Sequence, residues 1–325
     1  MFEDIKKLTQ INAVSGNENE MAKYLMGVLT PICDKIYSDV MGNIVAVKKG
    51  LSEGKIALYA HIDEVGLVVS FVEKNGYLRV APCGYIDPKT RANNTVTFEN
   101  GIKGVFITPS VDEKIKIEDC YVDIGALSEK EACQKVSIGM NAAFDGEAVD
   151  LGDKIMSKAL DDRIGCYILI EALKNAKVKN DTYFVFSTQE EVGLRGATTS
   201  TFEINPDVAI AIDVTSANQN PDKEDHLVKL GNGVAIKIRD KGMISSKKVV
   251  FDLESICEQN DIKYQRDVLI SGTTDAAAAQ VITGGALACG ISVPTKYIHT
   301  STEIISKYDV ENAINLVIKY IEKGL

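Results

Sequence analysis

Histidine is nearly missing from this chain: three in 325 residues, at positions 61, 226 and 299. Long apolar runs are missing as well. No stretch approaches the roughly 20 residues that a membrane-spanning helix needs. The first residues, Met1-Phe2-Glu3-Asp4, are acidic where a secretory leader is basic. The expectation is a cytoplasmic protein without a membrane partner. Basic clusters are absent too: 36 Lys and Arg face 46 Asp and Glu, for a net charge of −10. Nucleic-acid phosphates require clustered cations, so nucleic acid is excluded as the partner. The seven cysteines (33, 83, 120, 133, 166, 257 and 289) are odd in number and contain no CxxC pair. That argues against a zinc ribbon and a disulfide framework, and for buried thiols in a reducing compartment. Gly231-Asn232-Gly233 lacks the surrounding pattern of a phosphate loop and reads as a turn. Neither an internal repeat nor a low-complexity tract is present.

What is present is ordinary for a globular protein, with 45% apolar and 25% charged residues. The length suits one large domain and a smaller one. Residues 18–32 carry apolar positions at helical spacing, and Gly42-Asn43 separates two β-rich stretches. Residues 55–60 form a short apolar run that ends at His61, as expected of a buried strand in a parallel sheet. From 67 to 154 the chain breaks into short β-type segments, with one helical stretch near 128–135. Beyond 155, strands and helices alternate again. Asp161 to Ala176 reads as a helix, and apolar strands precede Glu190, Asp213 and His299. Asp309 is placed at the start of a C-terminal helix. The predicted fold is α/β: a mostly parallel sheet with helices on both faces, formed by residues 1–66 and 155–325. A small all-β domain, 67–154, is inserted into it.

Ligand sites in such sheets lie beyond the carboxyl ends of the strands. His61, Glu190, Glu191 and Asp213 each follow an apolar strand, so they are expected at one edge. Together with Asp161 and His299 they make up the inventory of a two-metal hydrolase. Asp161 bridges, His61 and Asp213 complete one ion, and Glu191 and His299 the other. Imidazole and carboxylate donors suit zinc, with cobalt or manganese as further candidates. Asp63 lies two residues past His61, on the same face of an extended strand, and is read as the acceptor of its other ring N–H. Glu190, on the opposite side of the chain from a ligand, is read as the general base acting on the metal-bound water. Each motif alone has an ordinary alternative: a structural histidine, a solvated acidic pair, a helix cap. Five of them in one order at strand ends would bury too many carboxylates to stand without cations. His226, in a charged loop, is expected to face solvent. Gly272-Thr273-Thr274-Asp275 is left open between a substrate contact and a helix-capping loop.

The series His61-Ile62-Asp63-Glu64-Val65-Gly66, Ala159-Leu160-Asp161-Asp162-Arg163, Glu190-Glu191-Val192-Gly193, Asp213-Val214 and Tyr297-Ile298-His299 resembles metallopeptidase family 42, the glutamyl, deblocking and tetrahedral aminopeptidases. The resemblance spans the chain. It implies a zinc-exopeptidase-like catalytic domain and a β-rich insertion used for dimerisation and assembly, often into dodecamers. It also implies two zinc or cobalt ions and release of N-terminal residues from peptides that have a free N-terminus. Its ligands fall on His61, Asp161, Glu191, Asp213 and His299, its base on Glu190, with Asp63 in support. Lys296 and Thr300-Ser301-Thr302 depart from the Arg and the Ser-Pro-x that many relatives carry there. Three other readings are weighed beside this one: a di-metal amidohydrolase or deacylase, the glycanase label attached to some relatives, and an inactive metal-binding assembly protein.

Overall fold

In the computed structural model the described residues are 1–109, 115–217 and 228–325. His226 therefore lies outside them. The chain begins with helices α1 (Phe2–Thr9) and α2 (Asn19–Leu29), followed by strands β1 (Lys35–Ser38), β2 (Ile44–Lys48) and β3 (Ser52–His61). Six strands then form a closed antiparallel barrel: β4 (Gly66–Val72), β5 (Leu78–Cys83), β6 (Thr95–Phe98), β7 (Lys103–Ile107), β8 (Tyr121–Asp123) and, after helix α3 (Glu129–Lys135), β9 (Asn141–Phe144). Ser128 caps α3 by accepting from the Glu131 amide. The chain continues through β10 (Val149–Asp150), β11 (Lys154–Ser157), α4 (Leu160–Asn175), β12 (Asn180–Ser187), α5 (Arg195–Ile204) and β13 (Val208–Ser216). It finishes with β14 (Val234–Arg239), α6 (Lys247–Gln259), β15 (Tyr264–Val268), α7 (Asp275–Val281), β16 (Leu287–Lys296), β17 (Glu303–Ser306) and α8 (Lys307–Lys323).

The larger sheet runs β1-β2-β12-β3-β13-β16-β17-β11-β10, with β14 joining β16 and β15. Its centre, β12-β3-β13-β16, is parallel, the strands that flank it on the main path and β14 pair antiparallel, and β15 pairs parallel with β14. The central strands are apolar on both faces because helices cover both. Along β3, Ile56, Leu58 and Ala60 pack towards α1, α2, α4, α6 and α8, while Ala57 and Tyr59 pack with residues of α5 and α7. β10, inside the stretch read as the insertion, pairs in the larger sheet, so the barrel strands themselves span Gly66 to Phe144. The barrel has its own core of Leu67, Leu78, Val80, Val96, Phe98, Phe106, Val122 and Phe144, among others.

Asp309 behaves differently from expectation. α8 starts two residues earlier, and the buried Asp309 carboxylate accepts the amides of Gly231 and Gly233, each at 2.7 Å. Those amides belong to a glycine turn without ladder partners, and a charged acceptor satisfies both. None of the helices among the described residues is long and apolar enough to cross a membrane, and all seven cysteines are free thiols.

Candidate metal centre

The strand ends bring the acidic motifs together. His61 is the last residue of β3 and Asp213 lies near the end of β13. In both strands the alternation that turns residues 58 and 212 towards the α4 face turns His61 and Asp213 the other way. Glu190 and Glu191 follow β12 after Gln189, whose φ of 54° is left-handed. Asp161 sits in the first turn of α4, where its backbone is not helical. His299 lies between β16 and β17 with φ 62°, close to Tyr297 at 59°. Non-glycine residues hold such angles only where their surroundings enforce them.

Asp161 is central. Its Oδ1 lies 3.0 Å from His61 Nε2, and its Oδ2 lies 3.2 Å from His299 Nε2. Around these contacts stand two donor sets: His61, Asp161 and Asp213, and Asp161, Glu191 and His299. In each set the donor atoms lie within 4.8 Å of one another. Glu191 Oε1 faces His299 Nε2 at 3.2 Å but is buried without a hydrogen-bond partner. Glu190 is adjacent yet separate, with Oε2 4.0 Å from His61 Nε2. The five residues expected to bind metal thus converge, with Asp161 shared and Glu190 beside them.

The electrostatics fit cations. Burial opposes protonation of His61, but contacts with Asp161, Asp63 and Glu190 outweigh it and raise the imidazole. His299 is raised likewise against burial, by Glu191 and Asp161. Burial also pushes up Glu190, and it takes Asp213 to about 7 and Glu303 to about 8, Asp161's charge reinforcing both. Two like charges about 4 Å apart repel by about 4 kcal/mol at an effective dielectric of about 20. Ionising all these carboxylates together therefore calls for positive charge between them. An all-oxygen-and-imidazole donor set matches zinc, cobalt or manganese.

Three further carboxylates tie the ligand-bearing segments to each other. Asp63 Oδ1 accepts from Glu190 N at 3.0 Å, and Oδ2 from Glu191 N at 3.2 Å and Ser15 Oγ at 2.6 Å. Its Oδ1 is 3.5 Å from His61 Nδ1, too long for a hydrogen bond. The expected contact to the ring is made at 3.1 Å by the main-chain carbonyl of Asp63. Asp162, which sequence reasoning left without a role, accepts from His61 N at 3.2 Å and Gly165 N at 3.0 Å. Gly165 itself permits the close approach of α4 to β13, since a Cβ there would fall 2.5 Å from the Ile212 carbonyl oxygen. Glu303, also missed, accepts from Asp161 N at 3.0 Å and His299 N at 2.7 Å. Its signal was an acid on the otherwise apolar strand Glu303-Ile304-Ile305. Asp275 begins α7 and is buried against the Ser187 hydroxyl, while Thr274 is the cap residue without a side-chain cap bond. The segment thus starts a helix, the second of its two alternatives, and Asp275 lies beside the strand end that leads to Glu190.

The sequence profile of a family described as M42 glutamyl aminopeptidase matches residues 42–316. A putative aminopeptidase from Acetivibrio thermocellus is 39% identical over 99% of this chain and 98% of its own length. Among solved structures, an aminopeptidase from the archaeon Desulfurococcus kamchatkensis superposes with a TM-score of 0.95 at 38% identity, covering 99% of this chain and 94% of the other. The TET1 peptidase of Pyrococcus horikoshii, described as assembling into a tetrahedron or a large octahedral shell, gives 0.89 at 32% identity, covering 99% of both chains.

Proposed function

The chain belongs to the M42 glutamyl aminopeptidase family, and on that premise we propose that it is a dinuclear metal-dependent enzyme that removes N-terminal residues from peptides. The observation that carries the reading is Asp161, whose two oxygens meet two different imidazoles, each imidazole being flanked by a further carboxylate. His61 and Asp213 would hold one ion, Glu191 and His299 the other, and Asp161 both. Two divalent ions, when bound there, would supply the Lewis acidity that polarises the scissile carbonyl and makes a water acidic.

The remaining work falls to side chains. Glu190 takes the proton of the attacking water and passes it to the departing amine. Burial, which raises its proton affinity, supports that exchange. Asp63 holds the Glu190 and Glu191 amides and keeps the base aimed at the site, and the peptide's N-terminal amine is held against this acidic wall. Glu190 and Glu191 turn to different imidazoles, which disfavours the opposed carboxyl pair that a glycanase needs.

We further read the protein as a cytoplasmic homo-oligomer assembled from dimers, up to dodecamers, through the barrel domain and exposed apolar side chains such as Ile244, Phe251, Ile270 and Val281. The assembly of the Pyrococcus horikoshii relative supports this, and light scattering on the purified chain tests it.

For the reaction, chelator-stripped protein is assayed on aminoacyl-p-nitroanilides with zinc, cobalt or manganese restored. Metal-dependent release from free-amine substrates, absent with their N-acetylated forms, is expected. Loss of the acetyl group without release of p-nitroaniline would favour the deacylase, and neither product with any metal would end the enzymatic reading.

A further inference from the structure

The loop between β5 and β6 leaves the barrel and lies against the segment that carries His299. The Tyr85 ring stands 6.4 Å from the His299 imidazole, centre to centre. Gly84, at φ 83°, passes so near the other ligand that a Cβ there would lie 3.2 Å from that of Glu191. Further along, Arg91 is 3% exposed. Its guanidinium lies 4.3 Å from the ring of Phe144, a residue of the barrel core. From that anchor Arg91 Nη1 donates to Ser301 Oγ at 2.8 Å, and Asn94 Nδ2 donates to the same oxygen at 3.0 Å.

Ser301 is two residues beyond His299. The segment between them has little regular structure of its own: Tyr297 and His299 are left-handed, and Thr300 N donates to the Tyr297 carbonyl. Glu303 restrains the His299 main chain directly. The paired donors on Ser301 restrain the far side of the same turn, and they come from the loop between β5 and β6 of the barrel.

We propose that Arg91 and Asn94 are positioning residues for His299, so that the barrel, through Ser301, sets how firmly the Asp161–Glu191–His299 pocket retains a divalent cation. Arg91 is nearly fully buried and borders the same small cavity as Asp161, Glu191, His299 and Glu303, so Ser301→Ala, which leaves its charge in place, is the variant that isolates the hold exerted through the turn. The inference rests on reading His299 as a ligand. Partners outside the ligand shell typically change metal affinity by about 10-fold or more.

The test is a zinc titration of stripped protein against a chromophoric chelator, comparing wild type, Ser301→Ala, Ser301→Thr, Arg91→Met and His299→Ala. Wild type is expected to bind two ions and His299→Ala one. Ser301→Ala should keep the tighter ion and bind the second about 10-fold more weakly, with an unchanged thermal midpoint. Excess zinc should restore its kcat. Ser301→Thr, which keeps the hydroxyl, should restore wild-type binding, and Arg91→Met, which loses the hold on Ser301 together with a nearby charge, should change binding in the His299 pocket and spare the other. If Arg91→Met does not fold, the Ser301 pair decides alone. Equal affinities in Ser301→Ala and wild type would overturn the proposal. So would a uniform weakening of both ions with a lowered midpoint, which marks a purely structural contact. A His299→Ala protein that still holds two ions would overturn the ligand reading, and the proposal with it.

Discussion

The two donor sets have nearly the same chemistry and different mechanical support. His61 and Asp213 project from central parallel strands packed on both faces, and the His61 side chain is 2% exposed. Glu191 and His299 come from loops, and the His299 side chain is 23% exposed. The first pocket takes its geometry from the ladder β12-β3-β13-β16, and the second from side chains that hold irregular backbone in place. Identical ligands can therefore differ in how easily they release an ion, because local stability differs across a fold.

The sharpest break in the comparison is a change that spares both pockets and removes the chemistry. Glu190→Gln should lower kcat by about 10²–10⁴-fold while both metals are retained, read by steady-state kinetics beside metal analysis. Lost metal, or retained turnover, would remove Glu190 from its role as base.

Next come single-ligand deletions. His61→Ala and His299→Ala should each cost one ion per chain. The thermal midpoint should fall further for His61→Ala, because it opens a hole at the end of a buried strand. Equal losses of midpoint would erase the mechanical distinction between the pockets.

A subtler separation comes from pH. Asp213 is pushed up to about 7 by burial and by Asp161's charge, so in the stripped protein it carries a proton below that pH. An incoming cation must displace that proton and the one held by the raised His61 imidazole, so affinity of the His61 pocket should climb as pH rises through about 7 and keep climbing until His61 too is neutral. Calorimetric titration in buffers of different ionisation enthalpy should show proton release at pH 6 that shrinks by pH 8. Proton release no greater at pH 6 than at pH 8 would mean that Asp213 is already ionised and contradict its raised proton affinity.

The smallest effect is expected from Glu303→Gln, which keeps one acceptor oxygen and loses the other. It should weaken metal binding by about 10-fold, with competition titrations showing the greater loss in the His299 pocket. A greater loss in the His61 pocket would mean that the Asp161 amide, and not the His299 turn, is what Glu303 chiefly serves.

Much of this was legible in the chain itself. The run ending at His61, the β-rich stretch after Gly66 and the apolar stripe of α8 each carry a periodicity that reports which faces are buried. The ligand candidates were visible because an acid or a histidine directly after an apolar strand has one place to go in a parallel sheet. Asp162 and Glu303 were not legible as supports, since their partners are main-chain amides far away in sequence, and amides carry no residue identity. Asp309 misled for a similar reason: it resembled a cap for its own helix, and its amides came from the glycine turn at 231–233.

By itself the sequence determined the α/β rhythm, the β-rich stretch after Gly66 and which acids and histidines follow the strands, because these follow from local periodicity and from residue chemistry. Only the tertiary structure decided that the insertion closes into a barrel, that Asp161 stands between two imidazoles, and that Arg91 reaches across to Ser301. Those are long-range pairings, set when separate cores pack together, and no pattern within a single segment encodes them.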